Sequence, residues 1–409
     1  MNRMREIAGR PDRAVDYMLR EIRHICRDMK KRDPGSEGER EAGTYMADAL
    51  KRECGCSSVL LESFEEHPSA FYRYFYLSAF FDVFSWLGYW IHPAVSILSG
   101  SIALLLFVFQ FCLYKQLIDP LFPQKIGTNV TAVRPCSGEV KQRIFLNGHI
   151  DAAWEFPLNY YFGGVVFEIP GVMALIGVLT DMVLSVCSLC GCAWSGRAFR
   201  FCAVFVPFFV LVAATYNPRR IVDGANDNLS GCYISIALLR EMERNGIELE
   251  HTEVGALLTG SEEAGLRGAK AWGQKHKNDY TDVPTYILSF DTIHDPKLLA
   301  VNEKDLNGTV KADAGLCELF LQAAEETGLP CRRSWVPPFG GSTDSAAFTQ
   351  AGFRSVGITG LNHKLENYYH TRKDDPDNLN REGLKNCLVI TARLIEILED
   401  AVVNGDGSH

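Results

Sequence analysis

Short apolar runs alternate with amphipathic stretches along most of the chain, and four longer apolar runs break that rhythm. Strand-like runs fall at 129–134, 143–147, 253–259, 285–290 and 355–359, and helical patterns at 36–52, 229–245, 264–277, 313–327 and 380–402. This alternation predicts an α/β fold, a mixed, mainly parallel sheet sandwiched by helices. In such sheets the functional side chains gather beyond the carboxyl ends of the strands.

The longer runs lie in two blocks, 71–115 and 158–216. The first divides into 74–91 and 94–114 at the His92–Pro93 break, and the second into 169–192 and 201–216 around the 191–200 stretch. As helices they would extend about 24–36 Å, against about 30 Å for the hydrocarbon layer of a bilayer. Residues 93–114 carry no charge, whereas Asp82 and Asp181 fall near the middle of their runs and Pro207 interrupts the last. We expect two inserted hydrophobic helical hairpins giving four membrane-embedded helices. The alternative is a soluble helical subdomain or a dimer interface. The expected division is a catalytic domain from 1–70, 116–157 and 217–409, with the hairpins at 71–115 and 158–216. An even number of crossings puts both hairpin bases on one side. Arg73, Lys115, Arg219 and Arg220 flank those bases and Arg197 and Arg200 sit at one tip, a balance that slightly favours cytoplasmic bases.

Composition sharpens that division. The 409 residues are 47% hydrophobic and 22% charged, with 41 Lys plus Arg against 50 Asp plus Glu and a net charge of −9. The acidic balance argues against a nucleic-acid partner. The charge is segregated: roughly 7% of the two apolar blocks is charged, against roughly 28% of the remainder. The amino terminus reads as a charged helical stretch and not as a secretory signal. The 13 cysteines, scattered and odd in number, suggest reduced thiols, and Cys187, Cys190, Cys192 and Cys202 read as small packing residues.

Candidate chemistry sits in the polar remainder. His149-Ile150-Asp151 follows a strand, so that His149 can offer a ring nitrogen to a metal while Asp151 orients it. Gly224-Ala225-Asn226-Asp227-Asn228-Leu229-Ser230-Gly231 leads into a helix and projects Asp227, as a ligand or as a helix cap. Gly260-Ser261-Glu262-Glu263-Ala264-Gly265 sets two glutamates at a strand end, one to ligate and one to move a proton. Asp291 ends another strand, and Tyr368-Tyr369-His370-Thr371 supplies a second imidazole. The five candidate ligands His149, Asp227, Glu263, Asp291 and His370 suit two cocatalytic Zn2+ ions about 3.5–4 Å apart.

The ordered set GHID, GANDNLSG, GSEEAGLRG, SFD, GGSTDSAAF and YYHT resembles the M28 family of zinc peptidases, over about residues 127–375. The resemblance implies Asp227 as bridging ligand, His149 and Asp291 on one zinc, and Glu263 and His370 on the other. It implies Glu262 as general base, Tyr369 as oxyanion stabiliser and Phe348 as a pocket-lining residue. Thr343-Asp344-Ser345 departs from the Ser-Asp-His common in the family, and the long interval from Asp151 to Asp227 holds the second apolar block.

The expected function is a zinc-dependent exopeptidase acting on a peptide substrate, with an aminopeptidase leading. Carboxypeptidase, dipeptidase or glutaminyl cyclase activity, or an inactive membrane-tethered scaffold, are the alternatives. An oligomer is compatible with the sequence. Arg332, Arg333 and Arg354 are candidates to hold a substrate carboxylate or, more simply, solvated surface. The second hairpin leaves and re-enters the chain close to Asp151 and Asp227. It is therefore expected at the rim of the site as an anchor or a roof, with Asp181 or Glu168 facing a wet path.

Overall fold

The chain was analysed as a computed structural model that describes residues 4–362 and 366–405. An eight-stranded sheet organises it. Its strands are β1 Ser58–Glu66, β2 Lys125–Arg134, β3 Gln142–His149, β4 Thr252–Thr259, β5 Thr285–Ile293, β6 Ala300–Asn302, β7 Arg332–Ser334 and β8 Arg354–Gly360. Across the sheet they run β1-β2-β4-β3-β5-β8-β6-β7. The central strands β4, β3, β5 and β8 are mutually parallel, while β2 and β6 pair antiparallel to them. β3 is buried along its whole length, which is why it reads as a continuous apolar run and not as an alternating one.

One face of the sheet is covered by helices Pro11–Asp28, Glu37–Glu53, Ser230–Arg244, Ala314–Thr327 and Arg381–Val403, which share its largest apolar core. The opposite face holds a smaller core around Arg267–His276 and Asp344–Gln350, centred on Trp272. Five sequence-expected strands and five expected helices are present, with ends moved by a few residues. The edge strands β1 and β7, and β6 beside β7, lie outside the sequence-expected set. β1 is mostly exposed and the other two are three residues long, so neither kind carries a clear apolar signal.

A third core stands over the carboxyl ends of the central strands and reaches Ala264 and Tyr369. It is built from helices Ser69–Gly88, Pro93–Leu106 with its continuation to Cys112, Gly164–Leu189, and the run Ser195–Val212. Each apolar block folds back on itself, and the two pack together into one bundle. Among the described residues three helices are long and apolar enough to cross a membrane: Pro93–Cys112, Gly164–Leu189 and Ser195–Val212. The fourth expected span, Ser69–Gly88, falls short because it carries Arg73 and Asp82 and is rich in tyrosine and serine. Only 33%, 33% and 28% of the three apolar windows is buried, so most of each helix turns apolar side chains outward. Leu98, Ile176, Val183 and Phe201 are examples.

Candidate metal centre

Four loops at the carboxyl ends of neighbouring strands converge. His149 is the last residue of β3, and its Nε2 lies 3.1 Å from Asp227 Oδ1 and 3.8 Å from Glu262 Oε2. On the other side, His370 Nε2 lies 3.0 Å from Asp227 Oδ2 and 3.3 Å from Glu263 Oε2. The donor atoms of His149, Asp227 and Asp291 lie within 4.8 Å of one another, as do those of Asp227, Glu263 and His370 and those of His149, Glu262 and Glu263. The first two groups share Asp227 alone, one carboxylate oxygen facing each histidine. Asp291 stands two residues before the end of β5, still within the ladder, and not after the strand as the sequence suggested.

The glycines around the ligands have a steric reason. A Cβ on Gly148 would lie 2.4 Å from the amide nitrogen of Cys232 and 2.5 Å from the carbonyl carbon of Gly231. The end of β3 and the start of helix Ser230–Arg244 thus touch backbone to backbone, and that contact brings His149 beside Asp227. Ser261 and His370 both hold a left-handed backbone, with φ of 55° and 51°, a conformation costly for residues with a Cβ and concentrated at functional sites.

Burial sets the protonation of the cluster. It lifts Glu262 well above the usual carboxylate range, against the pull of His149, and it lifts Glu263 as well. Burial and the Asp227 charge push Asp291 up to about 8. For His370, burial would lower the pKa, but Glu263 and Asp227 outweigh it and hold the ring up to about 10. Asp227 moves the other way: burial opposes ionisation, yet the two imidazoles hold it below its ordinary range. The cluster therefore demands positive charge. His370 Nδ1 and Glu263 Oε1 have no hydrogen-bond partner, and His149 Nδ1 faces Asp151 Oδ1 at 3.4 Å. Imidazole and carboxylate donors in two groups joined by one carboxylate fit zinc in both number and kind.

Residues 207–395 match the sequence model described as peptidase family M28. This stretch is similar to peptidase family M28. It contains Asp227, Glu262, Glu263, Asp291 and His370, while His149 and Asp151 precede it. The M28-type fold extends beyond the match. A zinc-dependent exopeptidase from Parabacteroides distasonis superposes with a TM-score of 0.56 at 13% identity, over 93% of this chain and 97% of that one. An aminopeptidase from Aneurinibacillus gives 0.56 at 13%, covering 96% and 95%. A glutaminyl cyclase from Bacteroides thetaiotaomicron gives 0.56 at 12%, covering 93% and 97%. At such identities the likeness is one of fold. No curated protein sequence matches the chain.

Around this centre, buried groups hold the candidate ligands in place. Asp151 accepts hydrogen bonds from the backbone N–H of both Glu262 and Glu263, each at 3.0 Å, and its Oδ1 lies 3.4 Å from His149 Nδ1. One carboxylate thus orients a ligand ring and the glutamate pair together. Asp374, which the sequence did not single out, accepts from the amides of Asn226 at 2.8 Å and Asp227 at 3.1 Å and so fixes the Asp227 turn. Arg32, also unforeseen, donates to the carbonyls of Ile150 at 2.8 Å and Asp223 at 2.7 Å. Neither residue lies within a recognisable motif, so the sequence offers no local signal for them.

Glu262, Glu263 and His370 open into an apolar cavity that rises between the bundle helices, while Asp291 opens into a separate polar cavity. Tyr369 borders both, and burial keeps its phenol protonated well beyond neutral pH. Phe348 is not at the cavity. It is fully buried beneath the site, edge-on to Trp272 with ring centroids 5.7 Å apart. It points into the core of the lower sheet face because Asp344–Gln350 packs there. Thr343 and Ser345, in the divergent motif, both donate to Asp305, at 2.6 and 2.7 Å. Glu168 lines the apolar cavity, whereas Asp181 is buried inside the bundle, accepting from Ser85 Oγ at 3.2 Å. Of the three arginines considered for a substrate carboxylate, Arg333 pairs with Glu303 and Glu318 and Arg354 with Asp313. Arg332 lines the polar cavity.

The second apolar block is tied to the ligand loop directly. Phe156 N–H donates to the His370 carbonyl at 2.7 Å, and Asn159 Nδ2 to the Tyr369 carbonyl at 2.7 Å. Arg372 makes two hydrogen bonds to Glu155, at 2.6 and 2.8 Å.

Proposed function

We propose that this chain is a di-zinc hydrolase of peptide bonds with aminopeptidase action. The observation that carries the reading is the pair of donor groups, His149–Asp227–Asp291 and Asp227–Glu263–His370, meeting at Asp227; Glu262 lies beside them, in a third group with His149 and Glu263, and the reading gives it the proton instead of a metal. Zinc bound there would polarise the scissile carbonyl and acidify water. The chain's own residues do the rest. Glu262, at the cavity floor, takes a proton from the attacking water and delivers it to the departing amine. Asp151 holds the Glu262 backbone and the His149 ring so that base and ligand keep one geometry. Tyr369, protonated, donates a hydrogen bond to the developing oxyanion.

The reading includes a membrane location for the bundle, supported by the three long apolar helices and their outward apolar faces. The test is metal analysis of the full chain purified from membranes, followed by assay on aminoacyl 4-nitroanilides. Two zinc ions per chain and activity abolished by chelator and restored by zinc are expected. One zinc per chain, with cyclisation of N-terminal glutamine and no hydrolysis, would replace the reading by that of a glutaminyl cyclase. No turnover of any substrate would leave a scaffold.

A further inference from the structure

The apolar cavity is much longer than an amino-acid side chain requires. On helix Ser69–Gly88 its lining runs from Phe71 to Asp82, and on helix Gly164–Leu189 from Phe167 to Val178. Each interval rises about 16 Å at about 1.5 Å per residue. Phe75, Phe107, Phe111 and Leu175 form much of the wall between. The helices satisfy their own backbone hydrogen bonds, so apart from scattered side chains such as Ser78, Asp82, Glu168 and Thr215 this wall offers few partners to the N–H and C=O groups of a peptide, whose burial without partners is costly. A hydrocarbon chain carries no such groups. At roughly 1.3 Å of advance per carbon, 16 Å accommodates about twelve carbons.

The other side of the metal centre differs in kind. The polar cavity is lined by Asn302, Ser334, Thr343 and Asn362, with Arg332 the only cationic side chain among the described residues there. The centre thus separates a long apolar chamber from a polar cavity bearing a guanidinium.

We propose that the centre also hydrolyses long-chain N-acyl amino acids, with the acyl chain in the chamber and the amino-acid carboxylate towards Arg332. This rests on the di-zinc hydrolase reading above and adds to its aminopeptidase action a second substrate class, one without a free amino terminus. In the step, the amide C–N bond breaks, water supplies hydroxyl to the acyl carbon, and the proton held by Glu262 goes to the nitrogen. The products are a fatty acid and a free amino acid, and no reactant besides water is needed.

The test uses the full chain, zinc-loaded, in lipid nanodiscs, with N-acylglycines of 2, 6, 12 and 18 carbons. kcat/KM is expected to rise more than about 100-fold from acetyl to lauroyl, since each buried methylene contributes up to about fourfold, and to fall again at stearoyl. Gly171 lines the chamber, and a Cβ there meets nothing within 4 Å. Gly171→Phe should therefore shift the optimum to about six carbons or fewer, whereas the outward-facing Leu179→Phe should leave it in place. Binding is read separately by equilibrium dialysis of radiolabelled N-lauroylglycine and N-acetylglycine on Glu262→Gln. A flat chain-length profile, or faster hydrolysis of glycine dodecylamide than of N-lauroylglycine, overturns the proposal. Chain-length-dependent binding, sensitive to Gly171→Phe, in an enzyme that turns over no amide would sink the hydrolase reading while retaining the chamber assignment. Loss of that binding preference would sink the assignment itself.

Discussion

Glu262 and Asp374 touch the same centre but have separable jobs. Glu262 stands outside both donor groups that meet at Asp227, so Glu262→Gln should retain both zinc ions by metal analysis and lose hydrolysis by about 10²–10⁴-fold. Retained turnover would remove it as the base. Asp374 touches no substrate; it holds the Asn226 and Asp227 amides. Asp374→Ala should weaken zinc affinity by about 10–100-fold, measured by competition with a chelating dye. A third site concerns pH. Ser261 Oγ lies 2.8 Å from Glu39 Oε2 and 2.6 Å from Glu66 Oε1, and one hydroxyl proton can serve only one of them. The pair therefore holds a proton between them, and burial accordingly raises both, Glu39 well above its ordinary range and Glu66 from 4.5 to about 7. From 4.5 to about 7 the unfolded chain has released a proton that the folded Glu66 still holds, so stability falls as pH rises through the window. Glu66→Gln removes the Glu66 share of that loss and the repulsion between the two carboxylates. Its thermal midpoint should match the parent near pH 4 and exceed it at pH 8, by up to about 3 kcal/mol of stability.

At the level of elements, the second apolar block is joined to the catalytic domain at both ends by one buried side chain. Arg32 reaches the Ile150 carbonyl on the outgoing strand and the Asp223 and Gly224 carbonyls on the return, and its own carbonyl accepts from Ala152 N–H at 2.9 Å. Arg32→Met would leave the Ile150 carbonyl without its donor and the Asp223 carbonyl with only the Cys26 thiol at 3.5 Å, at about 1–3 kcal/mol each, while Gly224 keeps the Leu229 N–H. The variant should unfold at least about 2 kcal/mol more readily in urea and bind zinc more weakly, because Asp151 and Asp227 flank the clamp. Zinc affinity equal to the parent would show that the two ends keep their places without it. The hairpin base touches the His370 loop through Phe156 and Asn159, so the bundle and the ligand loop are positioned together. That coupling explains how an insertion of this size leaves the donor groups assembled.

At the scale of the whole molecule, two solvents are implied. The catalytic domain carries the charge, and the bundle turns apolar faces outward from helices long enough to cross a bilayer. The full chain should therefore stay with membranes through high salt and alkaline carbonate and come off only in detergent. Release by salt alone would mean that these faces are covered by protein, as in the dimer-interface alternative.

The sequence by itself determined the sheet's central strands and singled out the candidate donors that the fold brings together. Buried strands read as apolar runs, and metal donors must be the few residue types with free lone pairs at strand ends. It also located the charge-poor blocks, since a bilayer or a buried interface tolerates little else. What it could not hold is proximity. Asp151, Asp374 and Arg32 act on backbone groups far away in the chain, and any acidic or basic residue would read the same locally. Phe348 shows the converse, for a motif position suggested a pocket and helix packing turned the ring into the core. Only the tertiary structure decided that the two apolar blocks form one bundle over the site, because apolar periodicity says that a helix buries a face and not against which partner. The chamber follows from that packing alone, as a space between helices whose sequences are separated by the catalytic strands.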